Sequence, residues 1–580
     1  MKVINQKITS DVLIVGGGLA GCLAALEAKE ILGNDGKVVI VDKGFISRSG
    51  QSPFAAGIWT FFDPDQDDMN LWLEEIITSG EYLNDQLWCR QLYETGHVVA
   101  LKVDHWATEL GKSVFVKDDH GKMIRRKSRG HNYTQHVVIN SLQMMDTLRQ
   151  KMIQSGVKIC DRIMITDLFC NKDGVTGAAG LNYRQDTTHL FTAPAVILAA
   201  SGSGFKATYM GHRNLTGDLQ VAAYDQGVTL TNMEQFYSNT VAREFDIHGL
   251  NLYVSVGGRF LNGLDEEFMW NYHHLGSRAP LQHLAVAFSH EVEEGRGPIC
   301  LDITKASQKD QELCRQILPE SFRVWDRVGK SPFTTKIPWM VALRGTCVGG
   351  GGLKIDLDCR TNMKGLYGAG DICWIGPHGT YSFGGINIGF TSVSGYVAGQ
   401  KAAQYRKSLG SDVETKVPQK EIKARMHQRM ASLTRMKGRT PEEGLRLLQE
   451  IIVPYQVAYL KTAQRLNDAL SKLNALERNL LPSLIARSSH DLVKAVELEN
   501  MVKLGKLMVQ TSLLREESRG FHFREEFPTT DNEKWLKRIL VQKGPNDNLL
   551  TTMEEVETPF IKPKEAKSVP PGVKKESLGH

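Results

Sequence analysis

The chain has no apolar run approaching the roughly 18 to 20 residues needed to cross a bilayer, so no transmembrane segment is expected. Its first residues, MKVINQKITS, lack the apolar stretch of a signal peptide, and a cytoplasmic location is the default expectation. An excess of charge of one sign is also missing. Seventy Lys and Arg against 65 Asp and Glu leave +5 over 580 residues, which gives no reason to expect nucleic acid as a partner. Cysteine is sparse: the nine residues form no CxxC and no group with zinc or iron–sulfur spacing. Reduced thiols and no metal centre are expected, so one-electron traffic would need a partner protein. What remains, 41% hydrophobic and 23% charged, is an ordinary globular composition. The length exceeds a single core and implies about two to four domains.

The stretch 11–42, DVLIVGGGLAGCLAALEAKEILGNDGKVVIVD, carries the strongest local signal. Val12 to Val15 is a short β-branched apolar run, as in a buried parallel strand. Gly16-x-Gly18-x-x-Gly21 and an Ala/Leu-rich helical segment follow, then a second apolar run, Val38 to Val41, ending on Asp42. Gly16 permits a tight turn, Gly18 close approach to a pyrophosphate, and Gly21 close packing of helix on strand. The helix N-terminus offers N–H groups and a partial positive charge to that pyrophosphate. Asp42 can accept from a ribose 2′-OH and disfavours a 2′-phosphate. Strand, glycines, helix and acid together specify a dinucleotide-binding βαβ unit.

Downstream, Lys43 to Trp59 is a Ser/Gly-rich loop, either a cofactor-cradling backbone or an ordinary polar loop. Residues 69–111 and Ser141 to Met152 read as helical, and 158–199 as a small meander ending in another buried strand. That strand runs into Ala199-Ala200-Ser201-Gly202, and Thr216-Gly217-Asp218 comes soon after. Gly365 to Asp371, GLYGAGD, repeats the pattern of apolar residues, glycine and acid, with Asp371 placed to bind a ribityl hydroxyl. The segments 418–456, 460–475 and 490–515 are strongly helical; Leu498, Met501, Leu504 and Met508 recur at core spacing. Beyond 540 the chain turns polar and then Pro/Lys-rich, the texture of an extended, solvated tail.

These motifs, in this order, resemble the flavoprotein subunits of succinate dehydrogenase and fumarate reductase, with L-aspartate oxidase and adenylylsulfate reductase as relatives. EGRGPICLDIT at 294–304, GGLKID at 351–356, His378-Gly379 before Gly384-Gly385, and ESRGFHFREEFP at 517–528 belong to the same set. The resemblance implies an α/β fold: a Rossmann-like FAD-binding domain, an inserted α+β capping domain and a C-terminal helical domain. It assigns 1–232 and 344–412 to the FAD domain, 233–343 to the cap, 413–545 to the helical domain and 546–580 to the tail. It also implies FAD contacts at Gly16, Gly18, Gly21, Asp42, Lys43, Ser49, Gly50, Ser52, Gly57, Ala200, Gly202, Asp218, Gly370, Asp371, Asn387 and Ile388. An iron–sulfur electron-transfer protein is the implied partner.

The departures from the family pattern bear on the substrate. The family's FAD-linking histidine after Arg-Ser is Gly50 here, implying non-covalent FAD. The substrate histidine before the glycine pair falls on Cys347, the dicarboxylate-clamping arginine of HGANRLGGNSL on Ser382, and the histidine of QFHPT on Tyr237. Serine cannot replace a bidentate guanidinium, so succinate and fumarate are not the expected substrates. Gly276-Ser277-Arg278 occupies the family's proton-donor position, which makes Arg278 a catalytic candidate, or else a surface arginine at a helix start. His378 is the other candidate, active-site or structural. Trp374, Tyr381 and Phe383 are either substrate contacts or flavin wall, and His273 and His274 lie where the cap would approach. The resulting expectation is an FAD enzyme exchanging hydride at flavin N5 with a small organic substrate. The alternatives are an adenylylsulfate-reductase-like flavoprotein and a flavin relay without its own substrate.

Overall fold

A computed structural model describes residues 4–55, 57–127, 131–207, 212–245, 250–380, 384–410 and 417–568. Its centre is a five-stranded parallel sheet in the order Leu366–Gly368, Ala195–Leu198, Val12–Val15, Val38–Val41, Lys158–Cys160. The three inner strands read AVIL, VLIV and VVIV and are buried along their whole length, which is why they alternate with nothing polar. The helices Leu19–Leu32 and Ile386–Ser408 pack against each other with almost no side chain between them. A Cβ on Gly395 would lie 2.5 Å from the Ala20 carbonyl oxygen, and one on Gly399 would lie 2.4 Å from that of Ala24. Glycines one turn apart thus set this contact. The meander around 158–199 is a second sheet, ordered Gln6–Thr9, Thr187–Thr192, Gly174–Asn182, Ile163–Asn171.

An antiparallel sheet of Tyr237–Ala242, Ile337–Gly345, Ile299–Asp302 and Arg259–Leu261 carries the helix Leu281–Glu293 and the helices Gln308–Ile317 and Pro319–Arg327. The helical region at the C-terminal side comprises Gln419–Met430, Pro441–Ile452, Ala463–Ala475 and Ser489–Leu514. Pro441–Ile452 opens with a full capping box between Thr440 and Glu443. The region 69–111, expected to be helical, forms two helices, Met69–Ser79 and Gln86–Glu109; Gly80 ends the first and Asp85 caps the second.

The expected solvated tail is corrected as far as 568. Leu549–Glu555 pairs antiparallel with Lys537–Lys543 in a sheet that also holds Leu230–Thr231 and Gly352–Leu353. The Gln86 side chain accepts from the amides of Phe560 and Ile561 at 3.0 Å each, and Lys567–Ser568 pairs with Thr530–Asp531. Backbone pairing, invisible in a polar composition, holds this stretch in place. No helix of the described residues is long and apolar enough to cross a membrane.

Candidate active site

The C-terminal ends of the parallel strands open on one large cavity. Two helix N-termini face it. Gly18 precedes Leu19–Leu32 and Gly385 precedes Ile386–Ser408; neither helix has a capping side chain on its own N-cap residue or an acid in its first turn, and at the first Leu19 N donates to Ser52 Oγ at 3.0 Å. Uncapped N–H groups at a cavity wall are an anion site. Asn387, in the first turn of the second helix, presents a buried Oδ1 that has no hydrogen-bond partner, so a donor is missing there. Asp42 closes the turn by accepting from Gly17 N at 2.7 Å and Gly44 N at 2.6 Å. Burial raises its pKa, and those two amides oppose the rise. Lys43 is held by Thr216, Asp218 and Glu497. Burial alone would raise Asp218, but the Lys43 ammonium outweighs it and keeps the carboxyl below its usual range. At the far wall Gln51 bridges two charges: its Nε2 donates to Asp371 at 2.8 Å and its Oε1 accepts from Arg344 at 3.0 Å. Burial lifts Asp371 to about 6, against the pull of Arg344 and Gln51.

Of the residues expected to contact the cofactor, Gly16, Gly18, Asp42, Lys43, Ser49, Gly50, Ser52, Ala200, Asp218, Gly370, Asp371, Asn387 and Ile388 line this cavity. Gly21, Gly57 and Gly202 are not in its lining. Gly21 lies beneath it, where a Cβ would meet the Gly16 carbonyl oxygen at 1.8 Å; Gly202 packs on Thr346 and Gly57 on Ile139. These three glycines pack against neighbouring chain behind the lining.

The two catalytic candidates are not in the lining either. Arg278 is exposed, in the short turn Gly276–Arg278 that Ser277 pins by accepting from Phe260 N at 2.9 Å. The turn sends Arg278 outward, while Leu281, three residues on, reaches the cavity. His378 is fully buried behind the wall: a Cβ on Gly349, whose φ is +121, would sit 2.6 Å from its Nδ1 and 3.3 Å from the Tyr237 ring. Burial, and then the nearby Arg344 charge, push His378 down to about 3, so it is a neutral imidazole. Cys347 is buried and its thiol is pushed up to about 12, an inert group at neutral pH. Trp374 is buried, with Arg538 over its ring at 4.8 Å. His273 and His274 stack on each other at 4.4 Å and do not line the cavity. Tyr381, Ser382 and Phe383 lie outside the described residues.

The residue that sequence reasoning passed over is Arg344. It ends the strand Ile337–Gly345, lines the cavity, stands 5.5 Å from the Tyr237 ring centroid, and donates from Nη2 to His212 Nε2 at 3.2 Å. A single arginine closing the apolar run IPWMVAL was the signal available. Tyr237, Asn239, Leu281 and Val348 complete this wall. Among the described residues, no cluster of His, Cys, Asp and Glu is arranged to hold a metal ion.

Comparison with known proteins agrees with this architecture. Residues 11–388 match the FAD binding domain family, and residues 446–569 match the fumarate reductase flavoprotein C-terminal family. A fumarate reductase (CoM/CoB) subunit from Methanothermobacter marburgensis is 28% identical, over 92% of this chain and 97% of the relative. Among solved structures, a mutant of the E. coli quinol fumarate reductase FrdA superposes with a TM-score of 0.86 at 21% identity, covering 97% of this chain and 99% of the other. The adenylylsulfate reductase of Archaeoglobus fulgidus superposes with a TM-score of 0.80 at 18% identity, over 97% and 98% of the two chains.

Proposed function

Because the chain belongs to the FAD-dependent oxidoreductase family of the fumarate reductase and succinate dehydrogenase flavoproteins, we propose that it is the flavoprotein subunit of an electron-transfer complex. Its FAD is bound non-covalently. Its substrate is a small organic molecule other than succinate or fumarate, and an iron–sulfur protein exchanges its electrons. The observation that carries this reading is the cavity itself, with a backbone cradle at one side and a wall of Tyr237, Leu281, Arg344 and Val348 at the other.

FAD, when bound, supplies two-electron hydride exchange at N5 and one-electron exchange with metal carriers. The two helix N-termini would hold its pyrophosphate, Asp42 would accept from a ribose hydroxyl, and Asn387 Oδ1, buried without a partner, would accept from a cofactor donor. Gly50 supports non-covalent binding, since it has no side chain to link and a Cβ there would meet no atom within 4 Å. The neutral Cys347 thiol, where the family carries a substrate histidine, speaks against a dicarboxylate. The nine cysteines lack cluster spacing, which favours a partner as the one-electron carrier. The M. marburgensis relative is, by its name, likewise one subunit of an enzyme.

The test is the visible spectrum of the purified protein before and after acid precipitation. A band at about 450 nm that moves wholly into the supernatant supports free FAD; flavin in the pellet overturns non-covalent binding. Reoxidation of the anaerobically reduced protein by unsaturated acids, with fumarate and adenylylsulfate as comparators, then tests the substrate class.

A further inference from the structure

The wall opposite the cradle carries a specificity of its own. Two Lys or Arg side chains line the described cavity, Lys43 and Arg344. Lys43 belongs to the Asp42 end and is ion-paired with Asp218 at 2.8 Å and Glu497 at 2.9 Å. Arg344 sits at the other end, near the close of a strand from the capping sheet. Gln51 Oε1 and His212 Nε2 accept from its Nη2, and the Tyr237 ring lies against the guanidinium. Gln51, His212 and Tyr237 hold the guanidinium in place, and Gln51 stands between it and Asp371. Tyr237 is itself fixed from behind, its ring 4.6 Å from that of Phe521. Beside Arg344 the wall offers Val348, Leu281 and the Tyr237 face, with Asn239 as its polar member and, among the described residues, no second cation. Both Nη2 hydrogens are committed to Gln51 and His212; one charge-assisted contact to an anion is what this guanidinium offers, and the surrounding surface suits an uncharged body.

Resting on the reading that this cavity holds FAD, we propose that Arg344 receives the single anionic group of the substrate. The substrate class is then a monocarboxylate whose remaining body is uncharged and lies along Tyr237, Asn239, Val348 and Leu281. The second carboxylate of fumarate would meet no cation of its own, since the other basic side chain of the described lining, Lys43, is already ion-paired.

Flavin difference spectra of the holoprotein titrated with crotonate, crotonamide and fumarate decide it. Crotonate is expected to bind at least about tenfold tighter than either of the others. Arg344→Met is expected to weaken crotonate about 30-fold, the equivalent of roughly 2 kcal/mol for one charge-assisted contact. Crotonamide affinity should stay unchanged, and Arg344→Lys should keep part of the crotonate affinity. Equal affinities for crotonate and crotonamide in the unmodified protein would overturn the proposal, and so would crotonate binding indifferent to Arg344→Met. Fumarate binding tighter than crotonate would overturn the single-anion class. Should Arg344→Met fail to retain flavin, the three ligands on the unmodified protein decide alone. Turnover is a separate readout: crotonate that binds through Arg344 but leaves reduced flavin unoxidised removes the hydride-exchange reading and leaves the anion receptor standing.

Discussion

The cradle and the wall facing it are built by different means. The cradle uses backbone: glycines, two helix N-termini and an acid at a strand end, mostly within short sequence windows. The wall uses side chains from five separated segments, with Gln51, His212, Tyr237, Leu281 and Arg344 meeting only in the folded chain. A backbone cradle tolerates no added atom at its close-packed glycines such as Gly16 and Gly21, whereas a side-chain wall can be rewritten residue by residue without disturbing what lies opposite.

The largest effect is expected where the cradle has no room. In Gly21→Val the new side chain would begin 1.8 Å from the Gly16 carbonyl oxygen, a contact that only displacement of the first strand–helix turn can relieve. Soluble protein carrying flavin should be lost, as read from the ratio of flavin to protein absorbance after purification. Retention of full flavin content would mean that the turn is plastic, and the contrast between cradle and wall would fail.

That contrast also explains what could be read from sequence. Val12–Val15, Val38–Val41 and Ala195–Leu198 are strands because their runs are short, apolar and rich in β-branched residues, with Asp11 and Gly16, Asp42, and Pro194 marking their limits. Thirteen of the sixteen expected contacts line the cavity for the same local reason. Arg278 was placed by motif register alone, and register carries no information about which way a short turn points its side chain. His378 sits one residue from a glycine that mattered more than its own chemistry: Gly379 adopts φ +58 against the Gly80 carbonyl. Arg344 was legible only as an oddity in an apolar strand, since its partners come from the distant positions 51, 212 and 237.

The wall's support should rank next. Glu517 is fully buried and accepts from Arg515 Nη1 at 2.7 Å, Arg519 Nε at 2.8 Å and Asp531 N at 2.9 Å. Removing one partner of such a network leaves uncompensated buried charge, worth about 3–5 kcal/mol. Glu517→Ala should lower the urea midpoint of unfolding by that equivalent. Because Phe521 of the same loop packs against Tyr237, the rings tilted by 56°, crotonate affinity should fall as well, in protein whose flavin content is preserved. Loss of flavin in step with loss of crotonate affinity would show that wall and cradle are one unit.

His378 provides a smaller, pH-dependent effect behind the same wall. Its native pKa of about 3 lies below the ordinary value of about 6.5, chiefly through burial. Between those values the unfolded chain binds the proton and the native protein does not, so stability falls as pH drops through the window. The slope for one such group is about 1.4 kcal/mol per pH unit. His378→Gln should remove that slope, so unfolding midpoints of the two proteins should converge as pH is lowered from about 6.5 towards about 4. Parallel curves across the window would mean that the imidazole is already protonated when folded.

The smallest effect is expected at a cradle position with space around it. Gly50 has φ +84, which strains any side chain, yet a Cβ there would meet nothing within 4 Å. Gly50→Ala therefore costs only the left-handed backbone strain, about 1 kcal/mol, and FAD affinity should fall by less than about tenfold. Flavin should still leave the protein on acid precipitation. A loss beyond about a hundredfold would place the cofactor against residue 50 itself. The glycine would then be there to admit the ligand rather than to turn the chain, and this part of the cradle would be as intolerant as Gly21.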